Sequence, residues 1–104
     1  MKIYSVITQG IHNDGYHING IDNFTSLEKA KAFIDNNVEC QKRLEGTDNI
    51  IGEFDVTGEA NQYGWMYSGK IVYGVKIMQK FENKHCFHEE NFQTIRFVLE
   101  TEAL

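Results

Sequence analysis

The apolar residues of this chain recur with two different periods, and the place where one period gives way to the other constrains the fold most. Leu27, Ala30, Phe33, Ile34 and Val38 return every three or four positions, with Leu44 as the last candidate of the series. Glu28, Lys29, Lys31, Asp35 and Glu39 fall mostly elsewhere. That is one stripe of one helix. Where a pattern can be read outside this segment the period is two, as strands require. A chain of 104 residues has room for a single hydrophobic core. The helix must therefore bury its stripe against strands, which gives an α+β fold with one domain over residues 1–104.

The strands follow in order. Residues 2 to 8, Lys-Ile-Tyr-Ser-Val-Ile-Thr, are β-branched and aromatic with apolar side chains on both faces, which reads as a central strand. Asp14-Gly15 suits a two-residue hairpin turn, since both residues tolerate the positive φ of a type I′ turn. That turn pairs Asn13 with Tyr16, His12 with His17 and Ile11 with Ile18; a longer loop over residues 10 to 15 is the alternative, and it removes the facing histidines. Thr25, with Glu28 three residues on, forms the pattern of a capping box and starts the helix. Gly46 supplies a stop, and Asn36-Asn37, poor helix formers, allow the regular part to end earlier.

After the helix, Phe54 and Val56 alternate with Glu53, Asp55 and Thr57, a strand with one buried and one wet face. Residues 58 to 69 hold three glycines and read as a loop or hairpin end. Ile71, Tyr73, Val75 and Ile77 share one face of a long strand, and Ile95, Phe97 and Leu99 share one face of the next. The expected order is β-β-α-β-β-β, an antiparallel sheet with one helix packed on it.

Composition removes several function classes. The longest apolar runs are three residues, as at Ile71-Val72-Tyr73, against the roughly 20 that a membrane helix needs. The N-terminal segment lacks the apolar stretch of a secretory signal, so the expected location is the cytoplasm. In that reducing compartment Cys40 and Cys86 are expected as free thiols, with a bridge between them as the lesser reading. Ten Lys and Arg against 15 Asp and Glu give a net charge of -5, which opposes direct binding of nucleic acid. Nine Asn, eleven Ile and no Pro point to AT-rich coding, as in a phage or a low-GC bacterium; ordinary usage would give about five prolines.

No phosphate loop, dinucleotide fingerprint, zinc-protease helix or serine-hydrolase elbow is present, so an enzyme ranks last. His85, Cys86 and His88 are metal-ligand types close together beside Glu89. A site would need further ligands from His12, His17 or Cys40, and ordinary loop residues outweigh a native metal. Cys86 or Cys40 beside a histidine is the corresponding nucleophile reading, and nothing in the sequence marks either thiol. No cofactor is expected.

Two surface features remain. Glu53, Asp55 and Glu59 at alternate positions form an acidic stripe, in a segment from 44 to 69 that contains no Lys or Arg; its bland reading is a solvated face. Such a stripe suits a basic partner, because complementary charge speeds association and selects partners. Tyr63, Trp65 and Tyr67 alternate, so in an extended segment all three rings would project on one side as a contact patch, or else close one end of the core.

Met1-Lys2-Ile3-Tyr4-Ser5-Val6-Ile7-Thr8, then Asp14-Gly15-Tyr16-His17-Ile18-Asn19-Gly20-Ile21, then Phe24-Thr25-Ser26-Leu27-Glu28-Lys29-Ala30-Lys31-Ala32-Phe33, resembles a recurring opening of small phage and bacterial proteins that have no assigned activity. The resemblance covers the first third of the chain and implies a hairpin followed by a capped helix, and a phage or bacterial origin. It carries no catalytic residue and does not extend to residues 45 to 104, where the acidic strand, the aromatic loop and the His-Cys loop lie.

These observations lead to the expectation of a non-catalytic binding protein, phage or mobile-element encoded, that inhibits a host macromolecule. Its surface would be the acidic and aromatic one of Glu53, Asp55, Glu59, Tyr63, Trp65 and Tyr67, and its partner a host protein with a basic surface. A host-defence antagonist of the anti-CRISPR kind is the most concrete form. The alternative is a small metal- or ligand-binding domain using His12, His17, His85 and Cys86. An uncovered strand edge would also allow a homodimer.

Overall fold

The structure, a computed structural model, describes residues 1–12, 17–45, 49–83 and 88–102. The strands are β1 (Lys2–His12), β2 (His17–Phe24), β3 (Ile50–Asp55), β4 (Ile71–Asn83) and β5 (His88–Glu102), and helix α1 (Leu27–Glu45) lies between β2 and β3. The order is the expected β-β-α-β-β-β. All pairings are antiparallel, and the strands lie side by side as β2-β1-β5-β4-β3. β1 is interior, which explains why its sequence is apolar on both faces: Val6 and Ile7 are both buried, on opposite sides of the sheet. No helix among the described residues is long and apolar enough to cross a membrane.

α1 starts where its sequence can cap it. The cap is Ser26, one residue beyond the expected Thr25: Ser26 Oγ accepts from Lys29 N at 3.2 Å and donates to Glu28 Oε2 at 3.1 Å. Its own main-chain N–H and the Ser26 hydroxyl hold the Glu28 carboxyl below the usual range. The helix begins late because Phe24 is still in β2, paired with Tyr4. Asn36-Asn37 does not end it; the Asn37 side chain donates to the Phe33 carbonyl one turn back, at 2.7 Å. Gly46, the expected stop, lies outside the described residues.

The helical stripe buries Ala30, Ile34 and Val38 on Val6, Val75, Ile77 and Val98, with Leu27, Phe33, Tyr4, Phe24 and Tyr73 around them. Each fully buried Ile or Val contributes roughly 1.5–3 kcal/mol through area removed from water. Leu44 does not belong to the stripe: it is 82% exposed, and Gln41 takes the buried position instead.

The β1–β2 register differs from the turn-based expectation by one residue. Ile11 pairs with His17 and Gly10 with Ile18, so His12 and His17 are not opposite one another. The reason is Phe24. In the observed register it faces Tyr4 under the helix, with its ring 5.2 Å from that of Phe33; the expected register would place it opposite Ser5 on the other face. Residues 13–16, including Asp14-Gly15, lie outside the described residues.

The far face of the sheet is also covered. Ile7, Val56, Ala60, Ile71, Ile95, Phe97 and Leu99 form a second core there, packed against Tyr63 and Tyr67 from the segment between β3 and β4. A bulge makes this possible: Leu99 faces Ile71 while Val98 faces Tyr73, leaving Val72 as the extra residue. Ile71 therefore lies on the far face and Tyr73, Val75 and Ile77 on the helix face, where a single face was expected for all four.

Candidate functional site

Residues 57–70 leave the sheet after β3, cross its far face and return to β4. Two glycines in the left-handed region, Gly58 (φ 96°) and Gly69 (φ 108°), set the ends of the excursion, a conformation that a side chain would strain. Between them Ala60 N donates to Gly69 O and Ile71 N to Gly58 O, both at 2.8 Å, and Glu59 bridges Lys70. The stem is closed by main-chain bonds. A short 3-10 turn, Ala60–Tyr63, then carries the chain over the sheet with Ala60 fully buried.

The aromatic row expected here is divided. The Tyr63 and Tyr67 rings lie on Phe97, with centroids at 5.5 and 5.7 Å, and so close the second core. The Gln9 side chain on β1 donates to the Tyr63 carbonyl at 2.8 Å and ties the segment to the other half of the sheet. Trp65 and Met66, between the two anchored tyrosines, are 89% and 66% exposed. A turn conformation replaces the extended one, so the three rings do not share a side. The outcome is a fixed loop that presents one tryptophan and one methionine to solvent.

The acidic stripe is divided as well. Glu53 and Asp55 lie opposite Ile77 and Val75, both in the core beneath the helix, so these two carboxylates are on the helix face. Trp65 stands on the other side of the sheet. Glu53 is paired with Lys42 of α1 at 2.6 Å, and this bond raises the Lys42 pKa. Nearby, the Tyr73 hydroxyl donates to the Asp35 carboxylate, with Lys31 Nζ 5.5 Å from the centre of its ring. That hydrogen bond first, and then burial, push Tyr73 up to about 12. Glu59 is at the stem of the excursion, opposite Lys70.

A polar network interrupts the core under the helix. Arg96 Nη1 donates to Gln41 Oε1 at 2.8 Å, and Gln41 Nε2 donates to Gln79 Oε1 at 3.0 Å and Thr94 Oγ1 at 3.1 Å. Burial lowers the Arg96 pKa. No pattern in the sequence signals this cluster, because its members are scattered over three elements and each is common on a surface. At the end of the sheet, Lys70, Ile71, Val72, Glu100, Thr101 and Glu102 line an open groove of about 530 Å³.

His85 and Cys86 lie outside the described residues. His88 opens β5 opposite Asn83. Among the described residues, no group of three His, Cys, Asp or Glu is placed to hold a metal ion. Cys40 is a free, partly buried thiol whose sulfur accepts from Arg43 Nη2 at 3.3 Å. No protein-family model, curated protein or solved structure matches the chain.

Proposed function

We propose that this chain is a non-catalytic binding protein, phage or mobile-element encoded, which acts in the cytoplasm by occupying a basic surface of a host protein and inhibiting it. The observation that carries the reading is the placement of Trp65. A tryptophan that is 89% exposed stands on a loop whose flanking tyrosines are anchored on Phe97 and whose backbone is held by Gln9. Exposing so large an apolar ring costs solubility and adds nothing to the core. An aromatic side chain on a rigid support loses little entropy on binding, which is why such residues dominate interface energetics. Met66 beside it is a soft side chain that adapts to a partner's contour.

The net charge of -5 supports a partner of opposite sign. The contact surface is narrower than the sequence suggests: Trp65 and Met66 form its centre, Tyr63 and Tyr67 support it from within, and Glu53 and Asp55 add long-range field from the other face. A host-defence antagonist remains the specific form of this reading.

The test is capture from a lysate of the host cell on immobilised protein, with Trp65→Ala as control and partners identified by mass spectrometry. The expected result is one stoichiometric partner, lost in the variant, released as salt rises, and inhibited when the purified components are mixed. Identical capture by both proteins would remove Trp65 from the interface and the reading with it.

A further inference from the structure

The network under the helix runs short of acceptors. Arginine carries donors only, so the orientation of each amide is set from Arg96 outward. Gln41 must turn its oxygen to Arg96, which leaves its nitrogen for Gln79 Oε1 and Thr94 Oγ1. Gln79 is then left with its own nitrogen buried and without a partner, in a residue only 1% exposed. A buried donor without an acceptor is uncommon in native proteins and costs free energy.

At the other end of the network the half-buried Arg96 donates to Gln41 but has no partner of opposite charge within ion-pair distance among the described residues. Its cross-strand neighbours are Thr8 on β1 and Val75 on β4, neither of them charged. Thr8 in turn faces Gly20 on β2, where a side chain would meet no atom within 4 Å. The row Gly20, Thr8, Arg96 is therefore a low strip of the helix face, with a cation at one end and open space at the other. Arginine's planar fork of donors matches the oxygens of a carboxylate or a phosphate.

We infer that Arg96 anchors an oxyanion site on the helix face of the sheet, taking a carboxylate or phosphate group along the Gly20–Thr8–Arg96 row. Thr8 brings a hydroxyl-bearing side chain to the same strip, and Gln41 holds the guanidinium from the helix side. This site is independent of Trp65, which lies on the opposite face.

Thermal unfolding of the full chain in sodium phosphate, sodium acetate and sodium chloride at matched ionic strength tests it. Phosphate or acetate should raise Tm saturably above chloride, and the anion that saturates at the lower concentration identifies the group as phosphate or carboxylate. Arg96→Gln, which keeps an amide for Gln41 but removes the charge, should abolish the difference between salts. Thr8→Val should raise the half-saturating concentration roughly tenfold, the effect of one hydrogen bond to a charged group, and it serves if the arginine variant does not fold. Equal Tm in all three salts, a difference that survives in Arg96→Gln, or an unchanged titration in Thr8→Val would each overturn the site.

Discussion

The side-chain amide of Gln9 donates to the main-chain carbonyl of Tyr63 at 2.8 Å across 54 residues of sequence, and this bond joins the aromatic excursion to β1, which lies beyond β5 from its stem. The excursion leaves the sheet beside β4, passes over β5 and reaches β1. Its tip is thus held at both ends, which is what turns an exposed Trp65 into a fixed one.

Gln9→Leu keeps the side-chain volume and removes the bond. Stability in urea should fall by about 1 kcal/mol, the net value of one such hydrogen bond. Amide exchange over residues 60–67 should quicken while exchange in β1 and β5 stays slow. Uniform acceleration across the sheet would mean that the bond supports the fold rather than the loop.

The exposed ring of the loop and the buried ring beneath its tyrosines should separate by cost. Trp65→Ala should change stability by no more than about 0.5 kcal/mol, as for other exposed side chains. Phe97→Ala, which removes the ring beneath both tyrosines, should cost about 3–5 kcal/mol. Urea denaturation of the two variants decides it, and a costly Trp65→Ala would show that the indole packs against the sheet.

Tyr73 should make the fold sensitive to alkali. Its hydroxyl pKa is pushed up to about 12 from an ordinary 10.0, mainly by the hydrogen bond to Asp35, so the neutral form is the one the fold favours. The contribution is complete below pH 10 and is lost as pH rises toward 12. Tyr73→Phe should therefore cost about 1 kcal/mol at neutral pH. The gap between wild type and variant should close across that alkaline window when both are followed by denaturant melts; a gap that does not change would place the Asp35 contact outside the folding energetics.

Two glycines in the sheet should behave oppositely on conversion to alanine. A Cβ at Gly74 would meet Val56 Cβ at 2.8 Å, the Arg96 carbonyl at 3.0 Å and Phe97 Cβ at 3.0 Å, none of them a flexible side-chain end. Gly74→Ala should cost about 1–3 kcal/mol by overpacking. At Gly20 the same Cβ would meet nothing within 4 Å, and Gly20→Ala should be neutral within about 0.5 kcal/mol. Thermal melts of the pair give the comparison.

Part of the second core is legible in the sequence, where closing one end of the core is one of the two roles open to the loop aromatics, and Tyr63 and Tyr67 take it. Ile95, Phe97 and Leu99 on one face of β5 with Val98 on the other imply that both sides of that strand are buried, and one helix covers only one side. Residues 57–70 were the segment left to cover the other. In an extended chain Tyr63, Trp65 and Tyr67 share a single face, and the turn closed by Tyr67 N donating to Gly64 O is what separates the rings.

The sequence by itself determined the order of elements, the apolar stripe of α1 and the central place of β1, since these follow from periods that depend on each residue's near neighbours. Only the tertiary structure decided the β1–β2 register, the division of the acidic and aromatic patches between two faces, and the meeting of Arg96, Gln41, Gln79 and Thr94. Turn chemistry favoured a register one residue away, but burying Phe24 against Phe33 outweighs it, since a one-residue slip moves every side chain of β2 to the wrong face. The polar network depends on contacts across 38 to 55 residues, and no local pattern encodes a contact between positions so far apart.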